Sequence, residues 1–204
     1  MKVNWVEAVW VNSPLRTITQ LREIAYFRRA RRLEPGRRAL EIGCGRGVGV
    51  ELIRRAFAPA RVDGIDIDPA MVRRAERRKR RAAMREATFR VADAQALPYG
   101  DACMDAVFNF GIIHHLEDWR KGIREIARVL KAGGAFYFEE IYPALYANAF
   151  WRHFLLHPRE DRFSGPEFRA QLEATGLTLV PGYHETRNRI VAVAVKDGRG
   201  AVAG

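Results

Sequence analysis

The sequence predicts an α/β fold built on a mostly parallel sheet, and three observations predict it. Short β-rich runs alternate with helical stretches of about 10–15 residues along most of the chain, the pattern of right-handed βαβ units. The first strong strand, ALEIG at 39–43, runs directly into glycines that open a helix. The last two strand-like runs have no helix between them, so they form an antiparallel hairpin at one edge.

The elements follow in order. Residues 1–33 read as helical with one break at Ser13-Pro14, where Ser13 caps and Pro14 starts a helix. Leu15, Ile18, Leu21, Ile24 and Ala25 fall on one face of it at helical spacing. Glu34-Pro35-Gly36 is a turn. Helices follow at 47–57 and 69–83, the second capped by Asp68 with Pro69 in its first turn, and a strand at 61–66 separates them. Strands at 88–92 and 105–110 lead to a helix at 118–130 that stops at Lys131-Ala132-Gly133-Gly134. A strand at 135–141, a helix at 165–175 capped by Ser164 and closed by Gly176, and strands at 177–183 and 190–195 complete the set. The chain reads as one domain, with helices at 1–33 as an N-terminal cap, a core over 37–196 and a disordered tail over 197–204. Residues 142–161 interrupt the alternation with Leu145, Tyr146, Phe150, Trp151, Phe154, Leu155 and Leu156. That stretch follows the C-terminal end of a strand, the rim where open α/β sheets bind ligands. It reads either as a helix packed on the core or as a lid over an apolar substrate, with a membrane-surface contact as a third reading.

Composition narrows the partners. The 35 Lys and Arg exceed the 24 Asp and Glu, giving a formal charge of +11, a balance that points toward nucleic acid or an anionic membrane. Eight basic residues lie in 73–85 and seven in 22–38, and five of the 35 are lysines. These arginines either coat solvated helix faces or meet an anionic partner. No aromatic residue interleaves with the run at 73–85, so it lacks a base-stacking platform. Cys44 and Cys103 form neither a CxxC nor a Cys/His pattern, which predicts no disulfide framework and no bound metal. With no stretch of ~20 apolar residues and no signal-peptide cleavage pattern, the expected compartment is the cytoplasm.

Three motifs carry chemistry. In LEIGCGRGVG at 40–49 the glycines fall at Gly43, Gly45, Gly47 and Gly49, so backbone can approach a ligand at a helix N-terminus, yet the usual dinucleotide order is absent. Glu41 is an acid within a strand, a position that calls for a cationic partner. Asp66 ends the next strand in GIDID, ~20 residues after the loop, where a carboxylate accepts hydrogen bonds from ribose hydroxyls of NAD or of any adenosine. Asp93 ends the third strand in VADAQALPY. Three carboxylates at one rim suit adenosine bearing a cationic amino-acid tail and suit a pyrophosphate poorly.

On these residues the chain resembles the class I methyltransferases, in particular the small-molecule group that includes ubiquinone and menaquinone methyltransferases, over about residues 37–195. The resemblance implies a seven-stranded, doubly wound Rossmann-like sheet with an antiparallel seventh strand, and S-adenosylmethionine as cofactor. It implies that Gly43, Cys44, Gly45 and Gly47 lie along the methionine part of that cofactor, which Glu41 orients. Asp66 would take the ribose, Ile67 and Met71 the adenine faces, and Asp93 with the Ala94 amide the adenine edge. Asn109 and Phe110 end the fourth strand beside the cofactor, with Phe110 and Gly111 near the methyl group. The reaction implied is in-line attack of an acceptor on a sulfonium methyl group, in which positioning and desolvation do most of the work. His114 and His115 are the candidates for a general base, unless both merely pack on the following helix; Glu139, Glu140 and Tyr142 are weaker ones at the same rim.

Absent patterns matter too. Asn109-Phe110-Gly111 stands where adenine, cytosine-N4 and glutamine methylating enzymes carry NPPY or DPPY. There is no Pro-Cys nucleophile, no K-D-K-E tetrad, no acidic metal cluster, and no Tyr-x-x-x-Lys pair of an NAD oxidoreductase. The favoured partner is a small-molecule acceptor. RNA or protein as acceptor and a non-catalytic cofactor-binding protein are the alternatives, and the pattern prescribes no oligomeric state.

Overall fold

The computed structural model describes residues 14–143 and 162–198. Residues 1–13, nearly all of the expected lid at 142–161 and most of the expected tail lie outside the described residues. The elements are α1 (Pro14–Ala30), β1 (Arg38–Ile42), α2 (Val48–Phe57), β2 (Arg61–Asp66), α3 (Pro69–Arg81), β3 (Ala87–Val91) and β4 (Met104–Phe110). A 3-10 turn (Ile113–His115) leads to α4 (Trp119–Val129), β5 (Leu130–Ile141), α5 (Gly165–Ala174), β6 (Leu177–Leu179), β7 (His184–Glu185) and β8 (Arg189–Lys196).

The strands form one sheet in the order β3-β2-β1-β4-β5-β8-β6, with β7 beside β8. Strands β1 to β5 pair in parallel, and β8 runs antiparallel to β5, β6 and β7. The expected antiparallel hairpin is thus at one edge of the sheet, with β8 joining β5 and β6 outermost. Of the expected strand at 177–183 only β6 forms; Pro181 and Gly182, the latter at φ +85°, turn the chain before the short β7. Strand β5 begins earlier than expected: Leu130 already pairs with Met104, and the register shifts before Ala106 meets Ala135. The 131–134 segment thus bulges out of a continuing strand instead of ending a helix.

Alternation along the strands fills both faces. On one face Leu40, Ile42, Val107, Phe136, Phe138 and Ala192 pack under Trp119, Ile123 and Ile126 of α4 and Phe168 and Leu172 of α5. On the other, Ala39, Ala106, Phe108, Tyr137 and Val193 pack under Ile24 and Phe27 of α1 and Val50, Ile53 and Phe57 of α2. Helices on both faces bury a parallel sheet completely, which is why the central strands read as nearly unbroken apolar runs. The order of connections reverses between β1 and β4, so a crevice opens at their C-terminal ends.

Helix α1 is rotated relative to the expected face. Ile24 is buried, but Leu15, Ile18, Leu21 and Ala25 face outward. The cause is Phe27, whose ring lies 5.7 Å from Tyr137 and 6.0 Å from Phe110, together with Gln20 and Glu23 on the inward side. The caps agree with the sequence: Asp68 accepts from the Ala70 amide at 2.7 Å, and Ser164 and Glu167 form a reciprocal capping box. On α3, Arg73, Arg74, Arg77, Arg80 and Arg81 are exposed, while Arg78 pairs with Glu51 at 2.8 Å.

Candidate active site

The C-terminal ends of β1, β2 and β3 bring the three carboxylates to one rim. Glu41 lies level with Gly64 of β2 and Phe108 of β4, 1% exposed beneath the start of α2. A side chain at Gly49 would run into its carboxylate, so glycine there is what allows a helix to begin over an acid. The Val50 amide donates to this carboxylate, whereas Oε2 is buried with no hydrogen-bond partner among the described residues. Burial, and then the charge of Asp66, hold its carboxyl well above the usual range. The site therefore contains a buried acceptor atom without a donor, a costly arrangement that a cationic or donor group would relieve.

The other loop glycines have separate tasks. Gly45, at φ +51°, has open space where a side chain would point, so its backbone is the part of the loop a ligand can approach. Gly43 abuts Ile112, and Gly47 lies against Phe89 and Ala75; both are needed for packing. Cys44 is 4% exposed and packs with the core under α2, and burial pushes its thiol well up, so only its backbone belongs to the loop.

Asp66 closes the rim. Its Oδ2 accepts from the Gly45 amide at 2.8 Å and its Oδ1 from the Asp68 amide at 2.9 Å, and burial still raises its carboxyl. The Ala92 amide donates to the Asp66 carbonyl, tying the ends of β2 and β3 together one residue before Asp93. Asp93 Oδ1 accepts from the Gln95 amide at 2.8 Å, and Ala94 is nearly buried beside it. Ile67 is 52% exposed next to Asp66, and Met71 is half-buried on the first turn of α3. An exposed isoleucine between two carboxylates is an apolar surface offered to a flat ring.

Asn109 is fully buried, its amide donates to Glu140 Oε1 at 2.7 Å and to the Glu139 carbonyl, and its Oδ1 accepts from the Ile112 amide. Its side chain braces the turn after β4. Phe110 is 7% exposed and its carbonyl accepts from Arg16 at 2.7 Å.

Adjacent acids on β5 point to opposite faces. Glu139 reaches toward α1, where Arg16 lies 3.4 Å from it and 3.1 Å from Glu23. Glu23, buried and repelled by Glu139, is pushed up to about 7 despite Arg16. This cluster escaped the sequence reading, and its one sequence signal was an acid at Glu23 within an inward-facing apolar pattern. Glu140, on the other face, lies 2.7 Å from His114 Nδ1 and accepts from the Ile113 amide at 2.7 Å. Burial drives it up to about 7 against the lowering effect of those donors. The His115 ring lies tilted against that of His114, 4.1 Å between centroids, and of the two it is His114 that a carboxylate holds. A small cleft of about 10 Å³, room for little more than one water, adjoins His114 and is lined by Ile113, Leu116, Trp119, Ile141, Pro143, Arg162 and Phe163. The hydroxyl of Tyr142 donates to Glu185 at 2.7 Å, which removes it from the candidates for chemistry.

Against known proteins, a family described as methyltransferase domain matches residues 40–138. A fatty-acid O-methyltransferase of Mycolicibacterium smegmatis is 36% identical over 108 residues, 53% of this chain and 38% of that protein. A phthiotriol/phenolphthiotriol dimycocerosates methyltransferase of Mycobacterium tuberculosis is 32% identical over 108 residues, 53% of this chain and 39% of that one. The chain thus spans about two fifths of the length of these relatives. A solved structure of a SAM-dependent methyltransferase from Aquifex aeolicus shares the fold at TM-score 0.75 and 18% identity, covering 96% of this chain and 100% of that one.

Two outcomes follow from this geometry. Gly49→Ala should displace Glu41 or the start of α2, lowering the denaturation midpoint and weakening any ligand of the loop, whereas Gly100→Ala, with open space around it, should do neither. Glu140 binds its proton more tightly folded than unfolded, so its contribution to stability is present below the ordinary carboxyl range and is lost as pH rises through about 7. Glu140→Gln, which keeps the acceptor for Asn109, should therefore gain stability relative to wild type as denaturation is followed from pH 5 toward pH 8; a constant difference would refute the assignment.

Proposed function

We propose, on the premise that residues 40–138 belong to the methyltransferase-domain family of class I, Rossmann-like fold, that this chain moves a methyl group from S-adenosylmethionine to an O, N or C atom of a small apolar or aromatic acceptor. The observation that carries the reading is the partnerless Oε2 of Glu41 beneath the glycine loop, electrostatically coupled to Asp66. Two such acids repel a pyrophosphate and attract a cationic amino-acid tail, which separates this reading from a dinucleotide enzyme.

S-adenosylmethionine supplies, when bound, a methyl group made electrophilic by its sulfonium. Glu41 and the Gly45 backbone hold the amino-acid end, Asp66 the ribose, and Ile67, Met71, Asp93 and the Ala94 amide the adenine. Phe110 and Gly111 border the reacting carbon. Desolvation is built in, since Phe110 and Ile113 are nearly or fully buried at the rim. Where the acceptor must lose a proton, His114 takes it. With Nδ1 engaged by Glu140, the proton-accepting nitrogen is Nε2, and an ionised Glu140 keeps the ring in that tautomer. The names of the two relatives above, one a fatty-acid O-methyltransferase, support an apolar acceptor. The free thiols Cys44 and Cys103, and the lack among the described residues of any helix long and apolar enough to cross a membrane, are consistent with work in the cytoplasm.

Calorimetry tests this directly. Wild type should bind S-adenosylmethionine and S-adenosylhomocysteine, and Asp66→Ala should weaken both by about tenfold to a hundredfold, the ~1.5–3 kcal/mol of hydrogen bonds to a charged acceptor. NAD should not bind. Binding of NAD, or failure to bind either sulfur compound, would overturn the reading.

A further inference from the structure

The peptide that joins Phe110 to Gly111 is held at both of its polar ends. Its carbonyl accepts from Arg16 Nη2 at 2.7 Å, and its N–H, that of Gly111, donates to the Glu139 carbonyl at 2.9 Å. The second bond prolongs the pairing of β4 with β5, in which Phe110 lies level with Glu139. The first comes from a side chain 94 residues away on α1, and the sheet does not require it. Gly111 stands at φ +73°, and glycine takes either sign of φ at little cost, so without Arg16 this peptide would be free to turn over.

Arg16 is engaged more heavily than an anchor for α1 needs to be. It also reaches Glu23 at 3.1 Å and Glu139 at 3.4 Å, with its side chain 13% exposed. Ile24 and Phe27 already bury the inward side of the helix. Two buried carboxylates gathered on one guanidinium contribute little stability beyond an apolar filling of the same space, and Glu23 shows the strain in a carboxyl pushed up to about 7. What the cluster does deliver is a direction for one carbonyl. A side-chain carbon at Gly111 would lie 2.9 Å from Glu139 Oε2 and 3.8 Å from both Arg16 Nη2 and His114 Cε1. Helix α1, strand β5 and the turn after β4 thus meet at the residue assigned above to the border of the reacting carbon.

We propose that Arg16 is a positioning residue for methyl transfer, acting through the Phe110 carbonyl. A carbonyl oxygen carries partial negative charge, and a free one at this place would be drawn to the sulfonium. Arg16 holds it on the α1 side with a charge-assisted hydrogen bond instead. Attraction to the sulfonium would slow the reaction, because that positive charge fades as the methyl group leaves, so the ground state would gain more than the transition state. The inference rests on S-adenosylmethionine as cofactor; it names no acceptor and gives Arg16 no proton to move.

Calorimetry on the full chain tests it with S-adenosylmethionine and S-adenosylhomocysteine, which differ by the methyl group and its positive charge. A helix anchor alone would affect both ligands alike, whereas a hold on the carbonyl changes their ratio. Arg16→Gln should shift the ratio of dissociation constants toward S-adenosylmethionine by about threefold to tenfold, the scale of one hydrogen bond. Glu23→Gln loosens the same cluster from its far side and leaves the bond to Phe110, so it should not shift the ratio toward S-adenosylmethionine. Melting curves establish which variants fold. If Arg16→Gln does not, Arg16→Lys, which keeps a cation for the acids but lacks the fork that spans acids and carbonyl together, should shift the ratio the same way by a smaller factor. The proposal is overturned if the folded Arg16 variant weakens both ligands equally, or if Glu23→Gln moves the ratio as far in the same direction. Wild type that binds neither ligand would overturn the cofactor reading and this inference with it, whereas binding with an unmoved ratio overturns this inference alone.

Discussion

A carboxylate in the middle of a parallel sheet, under the first turn of a helix, is the arrangement on which the rest of this site depends. Glu41 accepts one hydrogen bond from the Val50 amide and has one oxygen with none. Apolar residues elsewhere on β1 show that the strand could have been filled without an acid. Gly49 leaves room for the carboxylate, Gly45 leaves the loop open above it, and Asp66 bonds back to the Gly45 amide. The helix start, the loop and the end of β2 are thereby set relative to one buried charge. A group that brought a positive charge to the loop would lower the energy of Glu41 and Asp66 together.

The ends of β4 and β5 form a second, two-sided array. Consecutive acids Glu139 and Glu140 project to opposite faces, and each face answers differently. On the α1 side one guanidinium, that of Arg16, is shared by Glu139, Glu23 and the Phe110 carbonyl. On the other side neutral donors, the Asn109 amide and the Ile113 backbone, receive Glu140, which in turn orients His114. The first device locks a helix onto the rim; the second presents an imidazole to a cleft. Both raise carboxyl proton affinity into the neutral range, so the rim changes charge where pH is physiologically relevant.

Much of this was legible in the sequence for a physical reason. Parallel strands alternating with helices leave an unmistakable apolar rhythm, and a ligand loop needs glycine and acid at fixed strand ends, so β1 to β5, Glu41, Asp66 and Asp93 could be located from spacing. Residues whose role depends on long-range packing could not. The Asn109 side chain is a brace because Glu140, 31 residues on, pairs with it. Arg16 lies 123 residues from Glu139, and the orientation of α1 was misjudged because both of its faces carry aliphatic residues. The glycines read as one loop, yet three of them serve packing and only Gly45 opens outward.

The measurement that bears most directly on this account is the number of protons released when S-adenosylmethionine binds near neutral pH, obtained by calorimetry in buffers of different ionisation enthalpy. Glu41 holds its proton far more tightly than an ordinary carboxyl, so a cationic ligand at the loop should expel it, and Glu41→Gln should reduce the release. Binding with no proton release, or with the same release in Glu41→Gln, would contradict the central role given to the buried carboxylate.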